Sequence, residues 1–122
     1  MKTETININN KEYILCFSLS SVQSLIDRYG DTNLNKIFNE NDTAKGLDET
    51  LWVLNLLMVS GKKYAEINGL KSEEVPSAED LKYIVGIDDI KNIHEKLYSC
   101  VGKDMSRNID LEVKKTESQT AD

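Results

Sequence analysis

The chain has few of the residues from which chemical sites are made. Among 122 residues there are two cysteines, Cys16 and Cys100, and one histidine, His94. Two cysteines so far apart form no disulfide framework, and neither they nor His94 stand at the paired spacing of a zinc site. The N-terminus lacks the charged, apolar and small-residue segments of a signal peptide, so the expected compartment is the reducing cytoplasm of its cell. Pro76 is the one proline, and the six glycines, Gly30, Gly46, Gly61, Gly69, Gly86 and Gly102, are isolated. They make no phosphate-cradling loop and mostly stand where helices should end. No Gly-x-Ser-x-Gly or His-Glu-x-x-His pattern occurs. Basic residues number 15 against 21 acidic ones, for a net charge of -6, with no Lys/Arg block to track a phosphate backbone. Nucleic-acid binding is disfavoured on that ground. The longest apolar run, Leu51 to Val59, is broken by Asn55 and falls far short of the roughly 20 residues of a bilayer span.

What chemistry remains has a simpler account. His94 and Cys100 are six positions apart, which puts them on different sides of a helix and out of reach as a nucleophile and base. Cys100 follows Leu97 on an apolar face, where small buried thiols are common. The acidic pairs Glu73-Glu74, Glu79-Asp80 and Asp88-Asp89 sit at connectors and helix starts, where they complement the helix dipole without acid–base work. The chain is therefore read as a non-enzyme with no catalytic, cofactor-binding or metal residue.

The hydrophobic fraction of 39% is enough for one core. The reading is a single α+β, mainly α domain over residues 1–102: an N-terminal β-hairpin and about five helices packed round a central apolar helix. In the hairpin, 4–18, Ile6 and Ile8 alternate with polar residues, then Tyr13, Leu15 and Phe17 do so after the turn signal Asn9-Asn10-Lys11. Ile14 and Cys16 on the other face call for cover on both sides, by helices or a third strand. A helix over 21–29 follows, with Ser20 as N-cap, Gln23 completing a capping box, and Val22, Leu25, Ile26 and Tyr29 as its apolar face. Asn33 caps a short helix at 33–39. Ser77 after Pro76 caps another at 78–85, and Asp88 or Asp89 starts a last one at 88–101, closed by Gly102. Residues 103–122, with Met105, Ile109, Leu111 and Val113 among charges, are expected to form a disordered tail.

The central helix is placed at 48–68, with Asp48 near its N-cap and Gly69 as its C-terminal cap. Asp48, Asn55, Lys62 and Glu66 fall in one narrow stripe, and the stripe continues past Gly61, which argues against a break there. Leu51, Trp52, Val53, Leu54, Leu56, Leu57, Met58 and Val59 occupy most of the remaining circumference. Core packing accounts for the middle of that surface. Its edges, Leu51, Trp52, Met58 and Val59, are the candidate partner-binding residues, because so small a chain has little with which to cover every side.

The order of parts, ININNKEYILCFSL, SSVQSLIDRYG, LDETLWVLNLLMVSG, PSAEDLKYIVG and a closing helix, resembles the small tail assembly chaperones of long-tailed bacteriophages and prophages, over about residues 3 to 102. That resemblance implies a non-enzymatic chaperone acting in the cytoplasm of a bacterial host. It implies as partners the tape measure protein, which such chaperones bind and keep soluble, and tail tube subunits, which they help to recruit. Family members often also exist as a longer, frameshifted product; Lys114-Lys115 and Lys62-Lys63 are both places where an A-rich slippery run could be encoded. No invariant active-site motif is carried over. The alternative is a phage structural or adaptor subunit that self-assembles through its helical surface, as a possible homo-oligomer.

Overall fold

The computed structural model describes residues 3–38 and 44–102. In chain order they form β1 (Thr3–Ile8), β2 (Lys11–Cys16), α1 (Leu19–Tyr29), α2 (Leu34–Ile37), α3 (Ala44–Ile67), α4 (Ala78–Ile84), a 3-10 turn (Ile87–Asp89) and α5 (Ile90–Val101). The expected tail at 103–122, and the end of the short helix beyond Phe38, lie outside the described residues.

Asn9 and Asn10 take positive φ of 55° and 65°. Two consecutive left-handed residues make the two-residue turn whose twist matches antiparallel strands, and asparagine tolerates that conformation better than other residues with a Cβ. The turn fixes the register: Ile8 pairs with Lys11, Ile6 with Tyr13 and Glu4 with Leu15. In a turn of this length the flanking pair exchanges backbone hydrogen bonds, and hydrogen-bonded pairs then alternate along the ladder. Ile8, Ile6 and Glu4 therefore bond inward to β2. The peptide groups of Thr3, Thr5 and Asn7 on β1, and of Glu12, Ile14 and Cys16 on β2, point out of the hairpin's two edges. Ile6, Ile8, Tyr13 and Leu15 share one buried face, whereas Thr3, Thr5 and Asn7 on the other are exposed.

The edge of β2 is closed by α3. A Cβ added to Gly61 would lie 1.7 Å from the Ile14 carbonyl oxygen, so helix and strand meet backbone to backbone and only glycine fits. Ala65, one turn on, is also fully buried. The helix runs straight through Gly61, as the continuing stripe requires. This contact also supplies the cover that Ile14 and Cys16 called for: no third strand is present among the described residues, and the helix itself packs on β2.

Several boundaries differ from expectation. The cap of α1 is Ser18 rather than Ser20: its hydroxyl accepts the Ser21 N–H at 3.2 Å and donates to Ser60 Oγ at 3.1 Å, so one side chain both starts α1 and ties it to α3. Leu19 thereby becomes the first residue of the helix. The central helix begins at Ala44, four residues before Asp48, because Gly46 is a buried helical residue and not a turn glycine. The Thr50 hydroxyl donates to the Gly46 carbonyl at 3.0 Å. At the other end Gly69, with φ of 69°, closes the helix while the Leu70 N–H reaches back to the Ala65 carbonyl. Ser77 caps α4 by accepting the Asp80 N–H. Asp89 accepts the Gly86 N–H where the chain restarts toward α5.

The core joins the inner face of the hairpin (Ile6, Tyr13, Leu15), Leu25 of α1, the inner side of α3 (Val53, Leu54, Leu57, Met58), Leu81 of α4 and Ile93 and Leu97 of α5. Burying each such large apolar side chain contributes about 1.5–3 kcal/mol against chain entropy.

Candidate interaction surface

The polar stripe of α3 is covered in part: Asn55 and Lys62 are half-buried, while Asp48 and Glu66 stay exposed. The Asn55 amide donates to the Pro76 carbonyl at 2.8 Å. Lys62 lies 3.5 Å from Glu74 and 3.8 Å from Glu66, and Asp48 lies 3.3 Å from Lys82 of α4. The stripe thus fastens the returning segment and α4 along one flank of the helix. On the opposite flank α1 runs antiparallel to α3, with Ser18 at Ser60 and Tyr29 at Glu49. Between those two flanks the outward line of α3 carries Trp52 and Val59, seven residues apart on one face.

This arrangement splits the four candidate residues. Leu51 and Met58 are core, 6% and 1% exposed, and do not belong to an accessible rim. The polar stripe is displaced toward α4, so the stripe edge that holds Leu51 and Met58 turns inward under that cover. Val59 is 50% exposed. Trp52 is half-buried and held in a small cluster. The Arg28 guanidinium sits 4.3 Å from the Trp52 ring centroid, and Tyr29 meets the indole edge-on with centroids 5.7 Å apart. Arg28 pairs with Glu49 at 3.2 Å, and the Tyr29 hydroxyl donates to the same carboxylate. Burial, and then that hydrogen bond to Glu49, push the Tyr29 phenol well above its ordinary pKa. A cation over indole at such a site is worth about 0.5–1 kcal/mol. The cluster therefore presents a pre-set aromatic edge.

Leu19 and Ile26 of α1 are 74% and 52% exposed, and both escaped the sequence reading. Periodicity assigns Ile26 to the apolar face of α1, but the burial of Ser21 and Leu25 rotates the inward face away from it. Leu19 lies outside the expected helix at 21–29 and is the first residue of the observed one. The exposed Ile87 lines a groove of about 270 Å³ between α3 and the α4–α5 junction, with Ala44, Leu47, Leu51 and Val85; Tyr83 of α4 is also exposed. A more polar hollow near the start of α3 holds the Arg28–Glu49 and Lys36–Asp31 pairs, so its charges are largely matched.

Family models, curated proteins and solved structures yield no match to this chain.

The remaining reactive groups are built into the fold. Nε2 of His94 lies 2.9 Å from Thr50 Oγ1. Because that hydroxyl gives its proton to Gly46, the imidazole is the donor, which fixes the Nε2–H tautomer. Phe38 stacks on the ring at 5.0 Å, and Tyr98 meets Phe38 edge-on. Burial lowers the His94 pKa. Cys16 and Cys100 are buried, and burial raises the Cys16 thiol. Among the described residues no group of three or more His, Cys, Asp or Glu side chains could hold a metal ion. No described helix is long and apolar enough to cross a membrane.

Proposed function

We propose that the protein is a phage tail assembly chaperone that binds apolar helical segments of a tape measure protein, keeps that protein soluble and helps bring tail tube subunits to it. The observation that carries the proposal is the half-covered outer face of α3, where Trp52 and Val59 remain accessible beside the exposed Leu19 and Ile26 of α1. A rigid helical body that displays separate apolar contacts under a net charge of -6 suits reversible masking of another chain's hydrophobic helices. The resemblance in element order supplies the identity of that chain. The chemistry required is surface exchange alone, with no nucleotide step.

Co-expression with the tape measure protein of the same genome tests this reading. The expected result is co-purification and a larger soluble fraction of the partner. Val59→Asp should abolish co-purification at an unchanged melting temperature, since Val59 is outside the core. A partner that stays insoluble and fails to co-purify with the unmodified chain overturns the proposal.

A further inference from the structure

We propose that the open edge of β1 is a self-association site, at which a second copy of this chain adds its own β1 antiparallel to make a four-stranded sheet across a two-fold axis. The outward peptide groups of Thr3, Thr5 and Asn7 receive no backbone hydrogen bond from a third strand among the described residues. All three residues are exposed. The strand also lacks what usually protects an edge: Thr3–Ile8 has no lysine, no proline and no bulge.

Charge selects the occupant and the register. The only charged residue in the strand is Glu4, on the inner face, where it accepts a hydrogen bond from the Ser99 hydroxyl and lies 3.9 Å from Lys96 of α5. An edge without free charge accepts a copy of itself without local repulsion. Antiparallel pairing must join outward groups to outward groups, which allows registers centred on any residue from Thr3 to Asn7; those centred on Thr3 or Asn7 engage only one outward residue of the three, which leaves Glu4, Thr5 and Ile6. Centring on Glu4 sets the two carboxylates opposite each other, which is unfavourable. Centring on Ile6 leaves Thr3 opposite the turn residue Asn9. Centring on Thr5 engages all three outward residues: Thr5 faces Thr5 of the second copy, and Thr3 faces its Asn7. Threonine pairs of this kind are favourable across strands. The net charge of -6 on each copy opposes the approach, so the dimer tightens as salt screens it. This site is separate from the α1–α3 surface.

Sedimentation of the full chain, with dilution from about 1 mM, should show a monomer–dimer equilibrium that shifts toward dimer with added salt. Thr5→Pro removes a donor that points away from β2, so it should abolish the dimer while leaving the melting temperature of the monomer in place. Under mild oxidation Thr5→Cys should cross-link two copies, because residue 5 faces itself, and Thr3→Cys should cross-link at least about tenfold less. A chain that is monomeric at every concentration overturns the proposal. So does a dimer that survives Thr5→Pro, or equal cross-linking through residues 3 and 5.

Discussion

The two edges of the hairpin carry the same kind of outward peptide groups and meet opposite treatment. At β2 the Ile14 carbonyl faces Gly61 of α3 so closely that no side chain separates helix from strand. At β1 the groups of Thr3, Thr5 and Asn7 meet no further strand among the described residues, and α5 holds that strand through its inner face at Glu4. A free strand edge offers a template for another chain, and a covered edge does not. The difference teaches that one glycine in a helix can decide which side of a small sheet remains open.

The largest way to break the comparison is Gly61→Val. Its branched side chain has nowhere to go against the Ile14 carbonyl, and such overpacking should cost about 3 kcal/mol or more in urea unfolding. A cost below about 1 kcal/mol would mean that α3 can lift off β2 and that both edges are equally open. A smaller effect comes through α5, the helix beside the open edge, which His94 ties to Thr50 of α3. Because burial lowers the His94 pKa in the folded protein, the unfolded chain binds the extra proton first. The contribution is complete above the ordinary histidine value of about 6.5 and is lost as pH falls from there through the folded value. Urea midpoints measured from pH 7.5 to 5 should decline, and His94→Gln should flatten the decline. Next, Asn10→Ala puts a less tolerant residue at φ of 65°, which should cost about 1 kcal/mol and loosen the register that aims Ile14 at Gly61. The smallest effect is expected of Thr5→Pro, within about 0.5 kcal/mol for the monomer, since no bond to β2 is removed. A large loss there would show that β1 bonds with the opposite parity.

Much of the fold was legible because period and punctuation agreed. Ile6 and Ile8 against Tyr13 and Leu15 marked the hairpin, Ser77 behind Pro76 marked α4, and Lys62 with Glu66 carried α3 past Gly61. What escaped depended on contacts distant in sequence. Ser18 outcompeted Ser20 as a cap because Ser60 was available to it. Gly46 resembled a turn until the start of α3 buried it. The candidate surface was half legible: periodicity placed Trp52 and Val59 outward, but the side to which α4 would dock decided that Leu51 and Met58 went inside. Leu19 and Ile26 could not be found from their own helix, because the rotation of α1 is set by its packing on α3.

The bond from Ser99 to Glu4 brings the last turn of α5 to the first residues of β1. In topological terms the domain is nearly a closed loop, so a short linker from Gly102 back to Thr3 would give a circular permutant whose new ends could be opened in the exposed stretch 70–74. For the same reason, the chain reaches Gly102 at the mouth of the hairpin, where Thr3 pairs with Cys16 two residues before Ser18 caps α1.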